Sequence, residues 1–221
     1  MPLPISIMIA TMQRRPFLIL GALALAAVCV APFCGQDLTQ QESDRLAGLL
    51  QWHPGSVVAE IGAGDGEMTL AASERVGAAG RIYSNELDPA KLAHLRELEA
   101  KAKNITVVQG DAASTNLPPG CCDSIYMRLV YHHFTNPQAM DASLLSALRP
   151  GGRLAVIDEE PRPGSTIPEG VPQNRVGHGI PQAVLIAELK AAGFAVESVH
   201  ADWPHDQDHK LYCVVFRKGK A

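Results

Sequence analysis

Apolar and polar positions alternate along this chain in two rhythms. From Gln36 onward, short β-branched runs trade places with stretches in which apolar residues recur every three or four positions. The first rhythm marks buried strands and the second marks amphipathic helices. Asp37 or Thr39 caps a helix through Gln51 that sets Leu46, Leu49 and Leu50 on one face. Ser56–Ile61 predicts a strand, Glu67–Val76 a helix, and Arg81–Asn85 a second strand. Pro89–Lys103 carries Leu92, Leu95 and Leu98 at helical spacing behind a proline start. Ile105–Gln109 and Ser124–Leu129 predict strands three and four. A helix over Gln138–Leu148 then closes in the turn Arg149-Pro150-Gly151-Gly152. Arg153–Asp158 is the fifth strand, Pro161–Gly179 a long loop, and Pro181–Ala192 a helix ended by Gly193. Ala195–His200 and Leu211–Arg217 close the series with no helix between them. Strand–helix alternation implies an α/β fold whose mostly parallel sheet has helices on both faces. The closing pair implies one antiparallel strand.

The first 35 residues break this pattern. Arg14-Arg15 precedes Phe17–Cys34, which holds no charge. Basic start, apolar core and small residues describe a signal peptide or an N-terminal membrane anchor. Residues 1–35 are therefore set apart from a domain over 36–221. That segment predicts a bacterial protein exported to the periplasm or held at the membrane; if it is not used, the domain stays cytoplasmic. The 47% apolar average of the 221 residues mixes these two parts. Nineteen basic and 23 acidic residues give a net charge of −4, which offers no electrostatic footprint for nucleic acid. Of the five cysteines, Cys121, Cys122 and Cys213 lie outside the N-terminal segment and form no CxxC pair, so neither a disulfide framework nor a zinc motif is indicated.

Three motifs carry the chemistry. Glu60-Ile61-Gly62-Ala63-Gly64-Asp65-Gly66 stands directly between a strand and a helix. Its glycines allow close passage of a ligand, and their G-x-G-x-G spacing differs from the dinucleotide fingerprint G-x-G-x-x-G. Glu60 and Asp65 favour a cation over a phosphate. Glu86 ends the second strand 20 residues beyond Gly66, where a carboxylate can accept both hydroxyls of a ribose; the alternative is a surface acid, since Glu-Leu-Asp-Pro also makes a good helix start. Asp111, after the third strand, is placed to accept from an adenine amino group; the alternative is a turn aspartate.

Taken together, EIGAGDG, YSNELDP, QGDAAS, CDSIYMRLVYHHF and LRPGGRLAVIDEEP resemble the class I S-adenosylmethionine-dependent methyltransferases, in order and over about Gly55–Arg217. The resemblance implies a seven-stranded sheet of order 3-2-1-4-5-7-6 and S-adenosyl-L-methionine as cofactor. It implies that Glu60, Gly62, Gly64 and Gly66 surround the methionine part, that Glu86 holds the ribose and that Asp111 lies near adenine. Ala63, Leu87, Ala112 and Arg128 complete the expected cofactor-binding set. For Arg128 the alternative is a salt bridge.

The candidate catalytic residues are His132 and His133, at the carboxyl end of the fourth strand, where ligands bind in such sheets; either could be the base, and the alternatives are a residue that only lines the site and a helix cap or packing residue. Tyr131, Asp158, Glu159 and His178 are expected to line the substrate cavity; His178 is read as the start of a helix over the pocket, and a solvated turn is the alternative for the two acids. No metal is expected. His200, Asp202, His205, Asp206, Asp208 and His209 match no compact zinc spacing and read as a polar loop. The expected function is methyl transfer to a small-molecule acceptor, since a core of this length leaves little room for a macromolecular docking module. The competing readings are a nicotinamide-dependent enzyme and a non-catalytic nucleotide-binding protein of the cell envelope.

Overall fold

The computed structural model describes residues 38–204 and 210–220. The N-terminal segment and residues His205, Asp206, Asp208 and His209 lie outside the described residues. In chain order the elements are α1 (Leu38–Leu50), β1 (Val57–Ile61), α2 (Glu67–Val76), β2 (Arg81–Glu86), α3 (Pro89–Lys101), β3 (Ile105–Gln109), β4 (Cys122–Arg128), α4 (Pro137–Ala147), β5 (Leu148–Glu159), α5 (Gln182–Ala191), β6 (Phe194–His200) and β7 (Leu211–Lys218). Short 3-10 turns occupy Tyr131–His133 and Gln173–Arg175.

The seven strands form one sheet of order β3-β2-β1-β4-β5-β7-β6. All pairs are parallel except those made by β7, which runs antiparallel to both β5 and β6. Central strands bury both faces, so β1 and β7 read as nearly unbroken apolar runs. One face packs Leu144 and Leu148 near α4 and Leu185 and Leu189 of α5 against Ile125, Met127, Val156 and Phe216. The other packs Leu46 and Leu50 of α1 with Met68, Ala72 and Val76 of α2 against Val58, Ile82, Ile157 and Val215. Helix α3 starts where Asp88 accepts from the amides of Ala90 and Lys91 and Pro89 follows.

Two boundaries differ from the sequence reading. The Arg149–Gly152 turn is drawn into β5, whose first residue Leu148 already pairs with Cys122 before a bulge restores register at Ser124 and Arg153. The loop containing His178 does not begin a helix; α5 starts at Gln182. Parallel order reverses between β1 and β4, and such a switch point opens a crevice at the carboxyl ends of the strands.

Candidate active site

The crevice is built from the loop after β1. The amides of Gly62 and Ala63 donate to the carbonyl of Asn85 at 2.9 and 3.0 Å, which fastens the loop to the end of β2. Asn85 is buried and its Nδ2 donates to the carbonyls of Val108 and Thr115. The glycines have different reasons to be glycine. Gly62 has a φ of 71°, and a β-carbon there would stand 2.5 Å from Cγ2 of Val130. Gly64 also has a positive φ but faces open space. It is the member of the motif that a ligand can approach.

Glu86 sits beneath it. Its Oε2 accepts from the amide of Gly64 at 2.9 Å, and its Oε1 accepts from Leu87 and Asp88 at 2.7 and 3.1 Å. Three backbone donors fix the carboxylate at the carboxyl end of β2; Oε1 is filled by two of them, and Oε2 keeps a lone pair for a further donor. Leu87 beside it is 61% exposed, an uncovered apolar surface. Asp111 is exposed and accepts from the amide of Ala113 at 2.8 Å, so the turn alternative is realised; it and exposed Ala112 stand at the end of β3.

A cleft of about 210 Å³ is lined by Glu60, Gly62, Ala63, Asp65, Gly66, Glu67, Met68 and Arg128. Glu60 is buried, and this desolvation pushes its carboxyl up to about 8, the hydroxyls of Thr69 and Tyr126 offsetting part of the rise. Thr69 Oγ1 donates to Glu60 Oε2 at 2.5 Å. Asp65 does not add free charge to the cleft: its carboxylate is paired with Lys91 at 2.5 Å, and that contact holds it below the usual range. Arg128 likewise pairs with Glu42 of α1 at 2.8 Å, as the salt-bridge alternative foresaw, while still lining the cleft. Glu42 also accepts from Trp203 Nε1 at 2.8 Å. Sequence reasoning missed Asn85, Glu42 and Val130, because their partners lie 23 to 161 residues away and no local pattern marks them.

A second group forms at the ends of β4 and β5. After β4 the chain turns through Leu129, whose φ of 56° is uncommon for a leucine. His132 is 1% exposed and its Nδ1 lies 2.6 Å from Asp158 Oδ1. Asp158 is fully buried and also accepts from the amides of His132 and Glu159. An acceptor surrounded by N–H groups assigns the proton to Nδ1 and leaves Nε2 as an acceptor. The rings of His132 and His133 have centroids 4.1 Å apart, and His178 stands 4.7 and 5.2 Å from them. Burial, helped by its two histidine neighbours, lowers the pKa of His133. Buried Glu159 lies 3.0 Å from Arg162 and 3.5 Å from His178 Nδ1. Asp158 and Glu159 are thus neither a solvated turn nor a cavity rim; they back the histidines. The sequence reading placed His178 near the pocket but not in contact with the histidine pair.

Tyr131 requires a correction. Rather than lining the cavity, it is fully buried in the core beneath α4 and α5, where apolar side chains surround its ring. Its hydroxyl donates to Asp141 at 2.9 Å and lies 3.1 Å from Glu188, which is bound in turn by the buried guanidinium of Arg175 at 2.7 Å.

Residues 59–156, the segment that holds the glycine loop, Glu86 and both histidines, match the sequence model described as a methyltransferase domain. Over that segment the chain is similar to methyltransferase domains. Among curated proteins, it is 32% identical over 108 residues to the ubiquinone/menaquinone biosynthesis C-methyltransferase of Shewanella pealeana, covering 48% of this chain and 43% of that protein. It is 28% identical over 172 residues to the 27-O-demethylrifamycin SV methyltransferase of Amycolatopsis mediterranei, covering 74% of this chain and 62% of that protein. The matched part thus spans less than two thirds of the length of either relative. In fold, the chain is similar to a SAM-dependent methyltransferase of Aquifex aeolicus, with TM-score 0.66, 21% identity, and coverage of 81% of this chain and 91% of that one. It is also similar to a protein of Bordetella parapertussis described as a possible exported protein, with TM-score 0.61, 20% identity, and coverage of 81% and 67%.

Proposed function

We propose that the domain binds S-adenosyl-L-methionine and transfers its methyl group to a small-molecule acceptor. The observation that carries this reading is the clamped carboxylate of Glu86 beside the open face of Gly64. The ribose lies against the carboxylate of Glu86, and one of its hydroxyls donates to the lone pair that remains on Oε2. Exposed Leu87 packs on the adenine, with the Asp111–Ala112 turn at its edge. The methionine part lies in the cleft over Gly62–Gly66, where its ammonium group meets Glu60. Methyl transfer is an in-line displacement, so the protein's main task is to hold sulfonium and nucleophile in line. The acceptor enters at the carboxyl ends of β4 and β5, where His132 and His133 stand. The small molecules named for the curated relatives support this acceptor class, and the net charge of −4 argues against nucleic acid.

Calorimetry tests the reading directly. The protein should bind S-adenosylmethionine at a single site, and Glu86→Ala should weaken that binding at least tenfold, equivalent to about 1.4 kcal/mol. Unchanged affinity in that variant would remove the ribose assignment. Production of S-adenosylhomocysteine on screening small O-, N- and S-nucleophiles then identifies the acceptor.

The export reading draws on Arg14-Arg15 and the apolar run behind them, and on the likeness to a possible exported protein. Among the described residues no helix is long and apolar enough to cross a membrane. Cell fractionation with detection of the mature N-terminus tests export: cleaved protein in the periplasm is the expected result.

A further inference from the structure

Three histidines from two distant parts of the chain meet at one place. One ring nitrogen each of His132, His133 and His178 all lie within 4.8 Å of one another. In addition, Nε2 of His132 is buried and has no hydrogen-bond partner among the described residues. A buried nitrogen lone pair without a donor costs free energy unless something occupies it. The partner must be electrophilic, because the ring's proton is already committed to Asp158 through Nδ1.

We propose that His132, His133 and His178 form a binding site for a divalent transition-metal cation, with zinc as the reference ion. Imidazole nitrogens are the ligands such ions select, whereas magnesium and calcium select oxygen. Carboxylate–histidine pairing is the arrangement that orients a metal-bound imidazole and raises its basicity. Asp158 supplies it for His132 at 2.6 Å, and Glu159 stands 3.5 Å from Nδ1 of His178. Two buried carboxylates behind three neutral rings also balance the charge of the ion. Nitrogens around tetrahedral zinc at ~2.0–2.1 Å stand roughly 3.4 Å apart, so the rings close by about 1.4 Å at most.

Elsewhere in the loop, the backbone holds His178 in reach. Gly179 has a φ of 111°, and a β-carbon there would meet the carbonyl oxygens of Glu159 and Glu160 at 2.9 Å. The loop therefore lies directly on the end of β5. The amide of His178 donates to Ser165 Oγ at 2.8 Å, which steadies the residue. Arg162 opposes the cation: its Nη2 lies 2.9 Å from His178 Nδ1 and 3.0 Å from Glu159. Ligation through Nε2 turns that Nδ1 into a donor toward Glu159 and displaces Arg162, whose side chain is half exposed and able to swing outward.

Three protein ligands leave one tetrahedral position open. An acceptor offering an oxygen or sulfur lone pair would take it, beside the strand end where methyl transfer is proposed. This last step rests on the methyl-transfer reading; the metal site itself does not.

The full-length protein, stripped with a chelator, is titrated with Zn²⁺ and Co²⁺ by calorimetry, and the Co²⁺ form is also read by its visible absorption. One equivalent should bind, with the intense visible bands of a four-coordinate cobalt site. His133→Ala and His178→Ala should each lower affinity at least ~100-fold, and Asp158→Asn roughly 10- to 100-fold. The proposal is overturned if no saturable binding occurs, or if binding survives both His133→Ala and His178→Ala. His133 is exposed and His178 only partly buried, so their loss tests ligation rather than folding. S-adenosylmethionine binding, measured on the same samples, reports separately: intact cofactor binding without a metal site sinks only the metal proposal, and the reverse sinks only the methyl-transfer reading.

Discussion

Glu60 shows how one residue couples stability to ligand charge. Burial raises its carboxyl from 4.5 to about 8, so at neutral pH the folded protein holds it largely protonated. A folded-state pKa above the unfolded one means a contribution that is complete below pH ~4.5 and is lost as pH rises through about 8. Thermal stability of the ligand-free protein should therefore fall between pH 5 and 8, at up to about 1.4 kcal/mol per pH unit from this group, and level off above that. Burial also raises Asp141, to about 7, and adds to the slope below that pH. In Glu60→Gln the decline should be visibly shallower, as followed by the melting temperature across that range; an identical slope would exclude Glu60 as its source. A cationic ligand in the cleft favours ionised Glu60. Cofactor affinity should accordingly rise from pH 6 to 8 in the wild type and stay flat in Glu60→Gln.

At the scale of elements, the loop between β1 and α2 separates packing from binding. Gly62→Ala forces a β-carbon into Val130 and should destabilise the fold by about 1–3 kcal/mol. Gly64→Ala meets nothing and should cost the fold only about 1–2 kcal/mol for its positive φ, while obstructing the ligand. Denaturant unfolding and cofactor calorimetry on both variants check this contrast: Gly64→Ala should lose far more affinity relative to stability than Gly62→Ala does. The sequence made this loop legible because strand, glycines and helix are contiguous. Glu86 was legible by its distance from the loop, and the strand order by family likeness together with the closing pair. What stayed hidden are relations between remote positions. Nothing near His178 announces His132, 46 residues earlier, and Asp158 reads as a turn acid until the end of β5 is seen to be covered. Tyr131 was misplaced because a tyrosine between a strand end and two histidines has the composition of a pocket wall. Only the packing of α4 and α5 shows that its hydroxyl serves Asp141 and Glu188.

Across the whole molecule, the sheet depends on β7. It lies between β5 and β6 and buries six successive residues, Leu211–Phe216. Without it, β6 has no neighbour and β5 exposes an unpaired edge. Removing residues 211–221 should abolish cooperative unfolding and yield a chain that binds the dye ANS strongly, as a compact state without fixed packing does. A sharp thermal transition in that truncated protein would show that the remaining five parallel strands are self-sufficient. The antiparallel position of β7 also has a bearing on timing. A ribosome makes β5, then β6, and only afterwards the strand that must slot between them, so the sheet cannot be completed in the order of its synthesis.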